Sequence, residues 1–332
     1  MSYVITLIPG DGIGPEVTEA TREVLAATGV AIEWELREAG AAAAEQHGHP
    51  CPDDVIASVQ RNRIALKGPI GTPIGRGFRS VNVTLRKALD LYACLRPVKN
   101  IEGIASRFSG VDLVIVRENT EGLYSGLEHM VVPGVAESLK IVSERASTRI
   151  AEFAFRYARA NNRRRVSVVH KANIMKLSDG LFLDSVRKVS RRYAEVDTSE
   201  VIVDACAMQL VRFPERFDVL VMDNLYGDIL SDLCAGLVGG LGVVPGANIG
   251  DECAVFEAVH GSAPDIAGKG VANPTALILS AALMLQYLGE REASARVEQA
   301  IRKVYRDTTV RTGDLGGNAT TVEFTRAVVQ AL

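Results

Sequence analysis

The chain has 332 residues, with 37 Lys and Arg against 40 Asp and Glu and a formal net charge of −3. That balance excludes a strongly basic or acidic protein and gives no general reason to expect a nucleic-acid or membrane partner. The length suits two lobes or one large α/β unit with a sizeable core.

The chain opens on a strand run, VITLI (4–8), which stops at Pro9. The segment MSYVITLIPGDG has no basic n-region and too short an apolar run for a signal peptide. In LIPGDGIGPEV, Gly10, Gly12 and Gly14 precede a helix pattern over 15–28. A dinucleotide fingerprint needs G-x-G-x-x-G, and Pro15 stands where its third glycine belongs. The stretch therefore predicts a tight turn into a helix, not a Rossmann pyrophosphate cradle.

A glycine-rich break, GPIGTPIGRG (68–77), leads into a cationic stretch, RSVNVTLRKALDLYACLRPVK (79–99). A strand over 111–116 then delivers REN (117–119) at its C-terminal end. Arg86, Arg96 and Arg117 offer planar forks suited to a substrate with several carboxylates. Ordinary surface arginines are the alternative. Tyr124 in RENTEGLYSG and Lys171 in HKANIMK are proton-transfer candidates, since a lysine near a metal or arginines has its pKa pushed down. Taken singly, they read as a packed loop aromatic and a surface lysine. Between them lies a helix pattern over 146–161, and the basic run RANNRRR (159–165) reads as its solvated end.

Further strands are predicted at 166–170, 200–205 and 217–222, with a helix over 178–194 whose N-cap region is Ser178 and Asp179. Asp204 ends the run VIVDA, where strand C-termini meet ligands in open α/β sheets. In DNLYGDILSD (223–232), Asp228 and Asp232 share a helix face. Two like charges there call for a cation, and oxygen ligands without a nearby histidine favour Mg²⁺ or Mn²⁺. A helix turn that is acidic because it favours the macrodipole is the alternative.

A second glycine-rich break spans 236–250, and EAVHGSAPDIAGKGVANP (257–274) reads as a shaped loop. Such a loop wraps a flat ring, and its Asp265 can accept ribose hydroxyls. Helices follow at 274–288, where Pro274 suits a first turn, and at 291–307. The stretch ALILSAALMLQYLG (276–289) is interrupted by Ser280 and Gln286 and reads as a core helix, not a membrane span. The alternation of strands and helices favours an α/β fold with parallel strands. The five cysteines (Cys51, Cys94, Cys206, Cys234, Cys253) are scattered and odd in number, which predicts reduced thiols in a cytoplasmic compartment.

The strings IPGDGIGPEV, HKANIMK, NLYGDILSD, HGSAPDIAGKG and DLGGNATT occur in order along the chain. With them the sequence resembles the β-decarboxylating dehydrogenases over essentially its whole length, and most closely the NAD-dependent isocitrate dehydrogenases. The resemblance implies an isocitrate/isopropylmalate dehydrogenase-like α/β fold of two lobes, not a true Rossmann fold. It implies a large cofactor lobe from 1–94 and 239–332, a small lobe from 95–238, and a dimerising clasp about 122–145.

By resemblance, Ile13 lies beside the adenine and Thr72 near the nicotinamide half. His260, Gly261, Ser262, Ala263, Asp265, Ile266 and Asn273 hold the adenosine half. NADP-preferring relatives carry lysine and tyrosine where this chain has Asp265 and Ile266, which implies NAD. Asp265 would repel a 2′-phosphate by roughly 4 kcal/mol at an intermediate dielectric, about a thousandfold in binding. Ser80 and Asn82 match the isocitrate enzymes, whereas isopropylmalate enzymes present apolar residues there. Arg86, Arg96 and Arg117 would clamp the tricarboxylate, and Asp204, Asp228 and Asp232 would hold Mg²⁺ or Mn²⁺. Tyr124 and Lys171 would handle protons. Lys171 and Asp204 reach into a partner's site in relatives, so the resemblance implies at least a homodimer. Homoisocitrate or 3-isopropylmalate as substrate, or a non-catalytic regulatory role, are the competing readings. Two departures stand out: Cys94 in YACLRP, where asparagine is usual, and Asp223 before NLYGD, whose charge the resemblance leaves unexplained.

Overall fold

The computed structural model describes residues 2–73, 75, 77–78 and 80–332. Ile74, Arg76 and Arg79, in the first glycine-rich break and at the head of the cationic stretch, lie outside the described residues. Internal contacts divide the chain into two compact units. One comprises Met1–Asp90, Asn100–Ser109 and Val238–Leu332; the other comprises Leu91–Lys99 and Gly110–Leu237.

In chain order the first unit begins with β1 (Tyr3–Ile8), α1 (Gly14–Ala27), β2 (Ile32–Leu36), α2 (Ala41–His47), α3 (Asp53–Asn62), β3 (Ile64–Lys67) and α4 (Val81–Ala88). The second unit holds β4 (Ala93–Lys99), β5 (Asp112–Glu118), β6 (Glu128–Val132), β7 (Val135–Ser138), α5 (Glu144–Ala160), β8 (Arg165–His170), α6 (Ser178–Ser190), β9 (Asp197–Ile202), α7 (Val203–Arg212), β10 (Val219–Met222) and α8 (Asn224–Val238). The chain then returns to the first unit with β11 (Pro245–Ile249), β12 (Ala254–Ala258), α9 (Thr275–Tyr287), α10 (Arg291–Asp307) and α11 (Thr321–Ala331).

The strands of the first unit lie in the order β2-β1-β3-β12-β11. All pair in parallel except β11, which runs antiparallel to β12. Ile8 lies opposite Lys67, and Lys67 opposite Glu257, so β1, β3 and β12 end level with one another. The segments 9–14, 68–73 and 259–273 therefore leave one edge of the sheet, the edge where open parallel sheets bind ligands. Val17, Ala20, Val24 and Leu25 form the buried stripe of α1, at helical spacing. Helix α9 is buried along most of its length; its Ser280 donates to the Ala276 carbonyl at 2.7 Å, which satisfies the one hydroxyl in its apolar middle. No helix among the described residues is long and apolar enough to cross a membrane.

In the second unit the order is β4-β5-β10-β8-β9, with β4 antiparallel to β5 and the rest parallel. Met222 faces Arg117 and His170 faces Ile202, so β5, β10, β8 and β9 deliver their C-terminal residues to one edge. Strands β6 and β7 form a separate antiparallel hairpin, turned at Gly134 (φ +85°), with every residue of both strands exposed.

Two expectations need correction. Residues 200–205 are not one strand: β9 loses its partner where β8 ends at His170, and the chain passes directly into α7. Asp204 therefore lies in the first turn of a helix, where its charge suits the macrodipole. The break at 236–250 also hides a strand. Pro245, which cannot donate to a ladder, occupies the first position of β11, where that defect is tolerated.

Candidate active site

Arg117, near the end of β5, is only 1% exposed. Its Nε and Nη2 donate to the Asn224 side-chain oxygen at 3.0 and 2.6 Å, and its Nη1 pairs with Asp228. The Tyr124 hydroxyl donates to the other Asp228 oxygen at 2.5 Å, and the Arg117 guanidinium lies 5.1 Å from the Tyr124 ring centroid. Cys94 faces Arg117 across the β4–β5 pair and is buried. One turn further along α8, Asp232 lies 3.4 Å from Arg96, which also donates to Ser231.

These contacts push the two carboxylates apart. Burial alone would raise the Asp228 carboxyl, but Arg117, Tyr124 and Arg96 more than offset it and hold it below the usual range. Asp232 is raised by burial and by the Asp228 charge, which Arg96 does not fully offset. Burial, then the Asp228 carboxylate, raise the Tyr124 phenol, so it keeps its proton at neutral pH. Asp228 and Asp232 thus form a pair of hard oxygen donors one helical turn apart, with positive charge short only at Asp232, an arrangement that suits a divalent cation. Among the described residues no group of three or more His, Cys, Asp or Glu side chains is placed to hold a metal ion. Asp204 pairs instead with the Lys171 ammonium. The two proton-transfer candidates thus fall in different pairs, Tyr124 with Asp228 and Lys171 with Asp204.

Asp223 receives an explanation that the sequence did not offer. It shares the Lys140 ammonium with Asp179, at 2.5 Å from each. Its other oxygen accepts the Tyr226 N–H at 2.9 Å at the start of α8. Asp179 is not an N-cap, because it is buried within the first turn of α6. There it accepts the Lys171 N–H at 2.7 Å and the Tyr226 hydroxyl at 3.1 Å. Two buried carboxylates and one cation therefore tie together the segments that carry Lys171 and Asp228. Sequence reasoning missed Lys140; an unexplained acid in an apolar setting was the only signal for it.

In the first unit, Ser80 caps α4, its Oγ accepting the Val83 N–H at 3.5 Å. Asn82 and Arg86 each keep a buried polar atom, Oδ1 and Nε respectively, with no hydrogen-bond partner among the described residues. Arg86 Nη2 lies 3.3 Å from Glu257, which also binds Lys67 at 2.6 Å and Asn248 at 2.6 Å. Burial would raise the Glu257 carboxyl, but the two cations hold it well below its ordinary value.

A cavity of about 580 Å³ in this unit is lined by six of the expected cofactor residues, Ile13, His260, Gly261, Ala263, Ile266 and Asn273. Gly242, Val271, Gly313 and Asp314 complete it. These four were not picked out from the sequence; Asp314 reaches the cavity wall from near the C-terminus and accepts the Asn273 amide at 3.0 Å. His260 Nδ1 contacts the Gly261 carbonyl at 3.0 Å, whereas its Nε2 is buried without a partner among the described residues. Burial holds this imidazole neutral, leaving Nε2 free to accept from a ribose hydroxyl. The cavity and its orphaned acceptor fit a nucleotide. Ser262 contributes through its carbonyl, which accepts the Ile13 N–H at 2.9 Å, whereas Asp265 and Thr72 are exposed and outside the lining.

A family model described as isocitrate/isopropylmalate dehydrogenase matches residues 4–328. The chain belongs to this family. It is 54% identical to the mitochondrial NAD isocitrate dehydrogenase catalytic subunit 5 of Arabidopsis thaliana, over 98% of this chain and 88% of that protein. A mitochondrial regulatory subunit of NAD isocitrate dehydrogenase from Dictyostelium discoideum is 52% identical, over 99% and 91%. A chloroplastic 3-isopropylmalate dehydrogenase from Solanum tuberosum is 54% identical, over 90% and 84%. The crystal structure of isocitrate dehydrogenase from Methylococcus capsulatus superposes with a TM-score of 0.97 at 52% identity, covering 99% of both chains. The isocitrate/isopropylmalate dehydrogenase family is one of oxidoreductases. The NAD isocitrate dehydrogenase subunits named above are mitochondrial, a finding that overturns the cytoplasmic expectation. All five cysteines are free and buried, and such thiols name no compartment.

Proposed function

We propose that this chain catalyses the NAD-dependent oxidative decarboxylation of isocitrate to 2-oxoglutarate and CO₂. The observation that carries the reading is the Arg96, Arg117, Tyr124, Asp228 and Asp232 constellation, which joins carboxylate-binding cations, a protonated phenol and hard oxygen donors. Ser80 and Asn82 favour isocitrate over isopropylmalate.

Arg96 and Arg117 clamp substrate carboxylates and fix C2 for transfer. Asp228 and Asp232, completed by Asp204 of a second copy, would hold Mg²⁺ or Mn²⁺, which supplies a Lewis acid for charge developing on the substrate. Ile13 and His260 would hold NAD in their cavity, where it would supply the acceptor for the hydride released at C2. Lys171, carried by the same second copy as Asp204, takes the C2 hydroxyl proton in its free-amine form. The β-keto acid then loses its β-carboxylate as CO₂, the bonding pair moves into an enolate, and Tyr124 returns a proton to C3. The exposed hairpin, with Met130 and Val132 60% and 54% exposed, supplies a face for a homodimer that completes each site.

Initial rates of NAD and NADP reduction on isocitrate, homoisocitrate and 3-isopropylmalate, with Mg²⁺ or Mn²⁺, test the proposal. NAD-linked turnover on isocitrate supports it. Turnover chiefly on a sister substrate keeps the chemistry and removes the Ser80/Asn82 argument. A regulatory role is the second reading, favoured by the similarity to the Dictyostelium regulatory chain. It predicts isocitrate binding without turnover.

A further inference from the structure

We propose that Asp11 and Glu16, the two acids of LIPGDGIGPEV, are positioning residues for the loops that meet at this turn, Glu16 fixing the segment that walls the dinucleotide cavity and Asp11 fixing the neighbouring segment 69–71. The inference rests on the cofactor reading above.

Local chemistry does not account for either acid. Glu16 lies in the first turn of α1, where any orientation of a carboxylate satisfies the macrodipole. Instead its oxygens leave the helix and accept the N–H groups of Ala272 at 2.9 Å and Gly270 at 3.2 Å, more than 250 residues away in sequence. The Thr321 hydroxyl stands between Glu16 and the Ala272 carbonyl, and the Thr321 N–H donates to the Gly270 carbonyl at 2.9 Å. Residues 270–272 are thus gripped from both α1 and α11. Val271 and Asn273, on either side of Ala272, are cavity walls.

Asp11 does the same for the other loop. Its carboxylate accepts the Gly71 N–H at 3.0 Å and the Ala41 N–H at 2.8 Å, while its own N–H donates to the Pro69 carbonyl at 2.7 Å. Gly10 and Gly12 let the turn come this close. Both have positive φ, and a Cβ on them would collide with the carbonyls of Pro69 and Ser262. Ile13, between the two acids, forms the facing wall and is itself held by Ser262. The turn therefore ties Ile13, itself a cavity wall, to the wall segment 270–273 through Glu16, and to the neighbouring segment 69–71 through Asp11.

The test uses the full chain with Glu16→Gln and Asp11→Asn, which keep size and one acceptor but turn an amide NH₂ toward a backbone donor. NAD affinity is read by titration calorimetry without substrate, and loop order by amide hydrogen exchange. For Glu16→Gln the NAD Kd is expected to rise about tenfold, as loss of a charge-assisted hydrogen bond implies. Exchange over 268–273 should quicken, while kcat at saturating NAD and the isocitrate KM stay within about twofold. Asp11→Asn should quicken exchange over 69–73 instead. An unchanged Kd with unchanged exchange overturns the positioning role, as does a fall in kcat with NAD affinity intact. Wild-type protein that binds no dinucleotide sinks the cofactor reading; the positioning role is then decided by the exchange rates alone.

Discussion

The Tyr124 hydroxyl donates to Asp228 at 2.5 Å, and the second oxygen of that carboxylate carries Arg117. A single aspartate therefore fixes both the proposed proton donor and a proposed carboxylate clamp. Because burial and Asp228 hold the phenol above its usual pKa, Tyr124 stays protonated through neutral and mildly basic pH. Tyr124→Phe should lower kcat about 10²- to 10³-fold, the usual reach of a positioned acid, with isocitrate KM nearly unchanged. Steady-state rates check this; a loss confined to KM would remove Tyr124 from the chemistry.

Lys140 neutralises two buried carboxylates at once. Lys140→Met should destabilise the protein by about 3–5 kcal/mol in denaturant titrations, because Asp179 and Asp223 are left buried without a cation. Asp223→Asn should cost less, since the Lys140–Asp179 pair survives. The double variant should recover part of the Lys140→Met loss, as a double-mutant cycle would register.

Asp112 provides a pH test. Burial would raise its carboxyl, but Lys99 and Arg163 more than offset this and hold it below the usual 3.8. A lowered folded-state pKa adds stability above the unfolded value that is lost as pH falls through the folded one. Asp112→Asn should therefore lower Tm by a few degrees near pH 7, and the gap should close below about pH 4. Melting curves over pH 3–7 check the trend.

In the proposed function, cofactor choice rests on exposed Asp265 and half-buried Ile266. Asp265→Lys combined with Ile266→Tyr should shift kcat/KM from NAD toward NADP by a hundredfold or more, given the roughly thousandfold penalty of facing a 2′-phosphate with a carboxylate. Paired NAD and NADP assays decide the point.

The hairpin predicts assembly. Met130→Asp with Val132→Asp places charges on an exposed apolar ribbon. Sedimentation should show a shift to monomer, and activity should fall with it. A monomeric wild-type protein would refute the shared site.

Periodicity made the repeating elements legible. Helices at 144–160 and 291–307 and strands at 3–8 and 165–170 carry apolar residues at spacings that only one secondary structure satisfies. The strand β11 escaped because Pro245 and Gly246 imitate a loop. Residue types at the site were legible too: an arginine near a strand's C-terminal end, and acids one turn apart on α8. Their pairings were not. Nothing local to Asp223 names Lys140, and nothing local to Glu16 names Gly270, since those partners meet only after strands far apart in sequence are laid side by side. Asp204 was misplaced for a related reason. A strand ends where its neighbour ends, and a single strand's sequence does not carry that information.

A Cβ at Gly227 would run into the Arg117 side chain, whose stem lies against the first turn of α8. Glycine inside a helix costs about 1 kcal/mol relative to alanine, so engineering for heat resistance would ordinarily replace it. Here that exchange would push the guanidinium away from Asn224 and Asp228. The weak spot in the helix is the slot through which Arg117 reaches its anchor, and thermostabilised versions of this protein must draw their gains from other positions, such as Gly236 of the same helix, where an added Cβ meets nothing.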